Sequence, residues 1–183
     1  MFVAAIGVAL VAIAPVLSAT AALSPKALYK ALLTAHLPES ELPPGFSSPR
    51  TKAKPPGPNT RRYHVVGEVE IDLNSGRARI VYVIFPTRAD AVGKYTAGLR
   101  GLRTTQGVTK VHSPAPGFRQ PSVIITGSAN GVGVTQVSFL AKSVEINAQT
   151  LRPNAESGDV KKTLTLAHFA LQHLKTVERR TAS

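Results

Sequence analysis

The chain has no cysteine, no tryptophan and a single methionine, and it has few acidic residues: ten Asp and Glu among 183 positions. Without Cys there is no disulfide, no thiolate metal site, no nucleophilic thiol and no acylated cysteine of the bacterial lipoprotein kind. Stability must come from packing. Four Tyr and six Phe make up the aromatic complement. Single-strand nucleic-acid readers interleave basic residues with exposed stacking rings. Here Tyr63 alone borders the main basic stretch, so specific nucleic-acid recognition is excluded and only non-specific phosphate contact is left.

The shortage of acid leaves a formal charge of +12. That sign favours anionic partners, such as acidic envelope polymers or lipid head groups. The excess is concentrated: Arg50, Lys52, Lys54, Arg61 and Arg62 fall within thirteen residues that contain no acid. These five are the candidate anion-binding residues.

No charged residue or histidine occurs before Lys26. Phe2 to Leu17 is apolar, and Ser18-Ala19-Thr20-Ala21-Ala22 follows it. An apolar core followed by small residues is the pattern of a secretory signal peptide over 1–22, with cleavage after Ala21 or Ala22. Such leaders carry Lys or Arg before the core, and nothing basic precedes Phe2. Either the true start lies upstream, or the segment is an uncleaved membrane anchor, since some twenty apolar residues can span a bilayer. Either reading puts the rest of the chain outside the cytoplasm, secreted or associated with the envelope.

The remaining residues are enough for one domain with a real core. Ser24 as N-cap and Pro25 as first helical residue open a short helix with Leu28, Ala31 and Leu32 on one face. Pro38, Pro43-Pro44 and Gly45 prevent its continuation, so 23–48 reads as a helix and a proline-rich loop. Residues 49–62, with four prolines, read as a basic linker. Residues 63–178 form the main domain and 179–183 a basic tail.

Within that domain Tyr63 to Leu73 alternates, with Val65, Val69, Ile71 and Leu73 on one face and His64, Glu68, Glu70 and Asp72 on the other. Asn74-Ser75-Gly76 turns the chain into a second strand, Arg77 to Phe85. The register that matches apolar with apolar sets Ile71 against Ile80, Val69 against Tyr82 and Asp72 against Arg79. Thr87-Arg88-Ala89-Asp90 caps a helix carrying Val92, Tyr95, Leu99 and Leu102. Val108–His112, Ser122–Thr126, Val132–Ala141 and Ser143–Thr150 read as strands, with turns at Gly127–Gly131 and Lys142. Ser157 caps a final helix whose stripe is Val160, Leu164, Ala167, Leu171 and Leu174. The expected fold is α+β: an antiparallel sheet of about five strands with helices packed on one face, in the order α-β-β-α-β-β-β-α.

No catalytic constellation emerges. The five histidines lack metal spacing, and His168 and His173 are about 140° apart round one helix. No metal site and no cofactor are expected. His173 reads as a residue near the helix C-terminus, satisfied by carbonyls or water. Glu68, Glu70 and Asp72 could in principle give a hydrolase its acid and base, but same-face neighbours are about 7 Å apart on a strand and Arg79 stands opposite Asp72. An exposed, charge-balanced sheet face is the better reading. The glycines of Gly127–Gly133 lack a following helix and a Lys-Ser/Thr pair, so they are turn residues and no phosphate loop.

The stretch from Val132 to Leu174, VGVTQVSFLAKSVEINAQTL and then VKKTLTLAHFALQHL, resembles small exported domains common in actinobacteria. These include the sensor-like extracytoplasmic domains attached to mycobacterial kinases and lipoproteins. Such domains often carry disulfides or a lipidation Cys, which this chain lacks. The resemblance implies an envelope-associated binding or sensor role without catalysis, and it transfers no functional residue. A ligand would sit on the concave sheet face or between sheet and helices, with Tyr82, Ile84, Ile124 and Phe139 as pocket candidates.

Overall fold

The computed structural model describes residues 23–55, 57, 60–102 and 105–182, so the leader read from 1–22 lies outside the described residues. Helix α1 (Pro25–Thr34) begins as its sequence requires, with the Ser24 hydroxyl accepting from the Ala27 amide at 3.2 Å. Leu28 and Leu32 are buried. The strands are β1 (Arg50–Lys54), β2 (Gly67–Leu73), β3 (Ala78–Ile84), β4 (Val108–His112), β5 (Ser122–Ala129), β6 (Val132–Ala141) and β7 (Val144–Pro153). They form one antiparallel sheet in the order β1-β2-β3-β7-β6-β5-β4. Helix α2 (Arg88–Leu102) lies between β3 and β4 in the chain, and α3 (Val160–Ala182) closes it.

The α+β class stands, but the sheet has seven strands and the order is α-β-β-β-α-β-β-β-β-α. Six of the seven strands are among the segments read from sequence, one more than the expected order counts; the strand with no sequence signal is β1, within the segment read as a linker. Its residues are polar and flanked by proline, so local composition argues for a loop. The edge of β2 outweighs that preference: Lys52 stands opposite Glu70 and Lys54 opposite Glu68 in an antiparallel ladder. Cross-strand charge pairs of this kind reward pairing that neither segment favours alone.

The β2–β3 register is the expected one, with Ile71 against Ile80, Val69 against Tyr82 and Asp72 against Arg79. Alternation then gives the sheet two different faces. Val69, Ile71, Ile80, Tyr82, Ile84, Ile124, Val137, Phe139 and Ile146 point to α1 and α3 and form the main core. Val81, Val83, Phe85, Val123 and Leu140 point the other way, against Ala91 and Tyr95 of α2. Helices on one face were expected; they cover both. The reason is legible in β3, where ARIVYVI is apolar at consecutive positions, as in a strand buried on both sides.

The final helix is rotated from the expected phase. Ala167, Leu171 and Leu174 are buried, but Leu164 is only partly so and Val160 is 42% exposed. Thr163, Leu166, Ala170, His173 and Val177 complete the buried stripe, while Lys161, Lys162, His168, Gln172 and Lys175 face solvent as expected. The N-cap is Asp159, not Ser157: its carboxylate accepts from the Lys162 amide at 2.9 Å. Thr163 turns inward because its hydroxyl bonds Thr150 at 2.6 Å and the Asp159 carbonyl at 2.6 Å. A satisfied hydroxyl can thus occupy a buried position that an apolar stripe would skip. The basic residues Arg179 and Arg180 belong to α3 and not to a separate tail.

The turn between β5 and β6 is shorter than expected. Strand β5 runs through Gly127 to Ala129, and the reversal is made by Asn130 (φ 51°) and Gly131 (φ 76°), both left-handed as a tight hairpin requires. Gly127 is glycine because the backbone of Gly107 passes where a side chain would stand.

His173 is not at a helix end. It is 8% exposed, and its Nδ1 lies 3.0 Å from the buried Tyr82 hydroxyl, which also bonds the Ala170 carbonyl at 3.1 Å. Burial pushes the His173 pKa below its ordinary 6.5, although Glu41 pulls it up, and burial pushes the Tyr82 phenol up. The folded chain therefore prefers neutral imidazole.

Two measurements check this core. Leu166→Ala should cost about 2–5 kcal/mol in urea unfolding, and Leu164→Ala clearly less. The stabilisation from neutral His173 should be fully present above about pH 6.5 and be lost as the pH falls through the lowered folded pKa. Urea midpoints measured from pH 7.5 to 5 should fall less steeply in His173→Gln than in the parent chain.

Candidate functional site

Helix α2 covers its face of the sheet incompletely, and its composition explains why. Among RADAVGKYTAGLRGL, only Ala91 and Tyr95 are buried, and Gly93, Gly98 and Gly101 present no side chain to reach across. Thr87 caps the helix as expected, its hydroxyl accepting from the Asp90 amide at 3.1 Å and donating to the Asp90 carboxylate at 2.6 Å. Tyr95 anchors the middle of the helix, its hydroxyl 3.3 Å from the Ser138 carbonyl. Beyond that anchor, Gly98, Gly101, Leu102 and Thr105 form one wall of a groove of about 590 Å³. The opposite wall is Lys54, Thr60, Arg62, Tyr63 and Glu68. That volume lies within the range of small-ligand sites, about 300–1,000 Å³.

Strand register builds the floor row by row. Arg79, Gln149, Gln136 and Ile125 lie side by side across four strands, and Val81, Asn147, Ser138 and Val123 form the next row. Val83 and Glu145 follow. Side chains on one face of adjacent strands are about 5 Å apart, so each row is a continuous strip. The amides and hydroxyl are linked: Ser138 donates to Asn147 at 2.6 Å, Gln136 donates to Ser138 at 2.8 Å and Asn147 donates to Glu145 at 3.3 Å. Apolar Val81, Val123 and Ile125 interrupt the polar strip.

Two buried carboxylates belong to this groove, and each has a lysine. Glu145 receives Lys94 at 2.6 Å on both oxygens. Glu68 accepts from the Thr60 hydroxyl at 2.7 Å and faces Lys54 at 3.3 Å. Beside it, Lys52 bridges Glu70 at 3.0 Å and Asp72 at 2.6 Å, and these carboxylates hold its pKa above the ordinary value. Burial, reinforced by Glu145, raises the Tyr95 phenol too, so it stays a proton donor. Arg79 differs from the lysines: its guanidinium donates to the neutral Gln149 amide, and among the described residues no carboxylate pairs with it.

The acidic row is therefore not an exposed face. Glu68 and Glu70 are buried, and the balancing charges come from Lys54 and Lys52 of β1 in place of the expected Arg79. Carboxylates tied to lysines in this way balance charge; none is poised as an acid–base pair. Of the anion-binding candidates, Lys52 and Lys54 are thus engaged within the fold. Lys54 and Arg62 line the groove, Arg50 stands opposite Asp72 in the ladder, and Arg61 is exposed. The pocket candidates Tyr82, Ile84, Ile124 and Phe139 are brought together, but in the packed core on the other face. None of the four lines the groove.

The sequence marks Arg79 only as the residue opposite Asp72, and Lys94, Gln136, Ser138, Asn147 and Gln149 not at all. The signal of the last four is polar alternation in β6 and β7, which also describes a solvated sheet face. Only the position of α2 makes that face a floor. Among the described residues no His/Asp/Glu group could hold a metal ion, and no helix is long and apolar enough to cross a membrane.

No family model and no curated protein matches the chain. Among solved structures it is similar to the extracellular domain of PknH from Mycobacterium tuberculosis, with 12% identity and a TM-score of 0.46 over 72% of this chain and 84% of that one. The similarity is faint. No residue's role passes between the two chains.

The Lys94–Glu145 pair supports the groove from below α2. Lys94→Met alone leaves a buried carboxylate unpaired and should cost about 3–5 kcal/mol. The double variant Lys94→Met/Glu145→Gln should recover much of that loss, and a double-mutant cycle by chemical denaturation measures the difference.

Proposed function

We propose that the protein is an exported, non-enzymatic binding domain of the cell envelope, sensor-like in role, whose ligand occupies the groove between α2 and the sheet. The observation that carries this reading is Arg79. Its cross-strand neighbour Asp72 is taken by Lys52, and the guanidinium lies along the groove floor against an amide. A guanidinium with a neutral partner keeps its full charge for an incoming carboxylate or phosphate, and its fork suits such planar or tetrahedral anions.

The rest of the lining narrows the class. Gln136, Asn147 and Gln149 offer amide donors and acceptors at strand spacing, and Tyr63 contributes a ring to the wall. That combination suits an oxygen-rich ligand with one acidic group, such as an acidic saccharide. A lining in which both carboxylates are ion-paired with lysines supports the reading of binding without turnover.

Calorimetric titration with uronate-containing oligosaccharides tests the reading against their neutral counterparts. Saturable binding of the acidic series, reduced at least about tenfold by Arg79→Gln while the fold is intact, is the expected result. Equal binding of the neutral series, or indifference to Arg79→Gln, would sink it.

A further inference from the structure

A second cavity lies on the opposite face of the molecule, where α1 and the C-terminal half of α3 part. Its volume is about 520 Å³, and Ala27, Ala31, Phe169 and Val177 give it a largely apolar lining. The small side chains of α1 explain the gap: alanines stand where larger residues would close the helix pair. Polar groups gather at one end, where Arg180 approaches Glu41 at 4.0 Å and His36 and Thr176 contribute to the rim.

His173 forms part of this lining, and its ring is oriented from behind. Nδ1 is held by the Tyr82 hydroxyl at 3.0 Å, and Phe169 stacks on the ring at 6.1 Å between centroids and an interplanar angle of 18°. Nε2 has no partner among the described residues. Among the described residues the side-chain polar atom sealed from solvent without a bond is Thr135 Oγ1, so Nε2 keeps some exposure. The cleft that His173 lines gives a ligand access to the ring.

The Tyr82–His173 pair suits an acceptor. With the phenol donating to the Ala170 carbonyl, Nδ1–H donates to the phenol oxygen and Nε2 is free to take a further proton. A protonated ring would then present Nε2–H to an anion, next to Arg180.

We infer that the α1–α3 cleft is a second binding site, for a small amphiphile with an acidic head: the head meets His173 Nε2 and Arg180, and the apolar body lies along Ala27, Ala31, Phe169 and Val177. Charge complementarity commits it to an anionic head. The groups facing the ring are Tyr82 from the sheet, Arg180 from α3, Glu41 from the turn after α1, and Lys30 and His36 from α1 and its exit. Glu41 is the one acid among them, and the ligand's head would share Arg180 with it.

The probe is dodecanoate below its micellar concentration, titrated calorimetrically into the exported chain, with dodecanol as the neutral counterpart. Dodecanoate should bind saturably and at least about fivefold tighter than dodecanol, as a charge-assisted contact predicts. Between pH 8 and pH 6 the probe stays ionised, and its affinity should rise at least about threefold as binding draws a proton onto His173. His173→Gln should remove that rise and His36→Gln should keep it. Should His173→Gln fail to fold, Ala27→Phe fills the cleft from a partly exposed position and should abolish binding, and Arg180→Gln should weaken it. Arg79→Gln in the other groove should change nothing. Equal binding of dodecanol, a flat pH profile, persistence in Ala27→Phe or loss in Arg79→Gln would each overturn the proposal.

Discussion

The pairing of β3 with β7 holds this structure together. It joins the β1–β2–β3 meander to the β4–β5–β6–β7 meander, segments separated in the chain by all of α2. Ile80, Tyr82 and Ile84 on one side of β3 and Val81 and Val83 on the other make it a strand that must be covered twice. Everything else follows from how each face is covered. Polar groups on the α3 side would be stranded, and apolar groups there give the larger cluster.

The two coverings are unequal for reasons written in the helices. Helix α3 is long and carries an inward stripe from Thr163 to Val177, so it closes its face tightly except where α1 offers the small side chains of Ala27 and Ala31. Helix α2 carries three glycines and a single large inward anchor, Tyr95. Its face of the sheet is accordingly half polar, because a groove open to water can accommodate Gln136, Asn147 and Gln149 at little cost. A tighter α2 would demand apolar residues in β6 and β7, and it would remove the cavity.

Buried charge follows the same logic. Glu68, Glu70 and Glu145 are each nearly sealed, and each is met by a lysine whose stem reaches in from the rim. A charge in such a position needs a partner or it neutralises. Three lysines of the basic excess are therefore committed inside the fold, so the net positive sign of the chain overstates what its surface offers to an anionic partner. Arg79 keeps a neutral amide for company and so differs in kind from those lysines.

Much of the architecture is local and was legible as such. The Ser24-Pro25 helix start, the Thr87–Asp90 cap and the Ile71–Ile80 register arise from contacts within a few residues or across one hairpin, where alternation leaves a single alternative. The same residues did not reveal β1, because its reason for being a strand is the acidic edge of β2 some twenty residues away. They did not give the phase of α3, since Thr163 and His173 become acceptable core residues only with Thr150 and Tyr82 as partners. Nor did they distinguish a solvated sheet face from a groove floor: polar alternation in β6 and β7 is the same pattern in both, and the separation between α2 and the sheet is a property of packing. Sequence alone determined the type of every strand and long helix but β1, the hairpin register and the cysteine-free, basic character. Tertiary structure decided which side chains share a cavity, because that depends on surfaces meeting across the sheet.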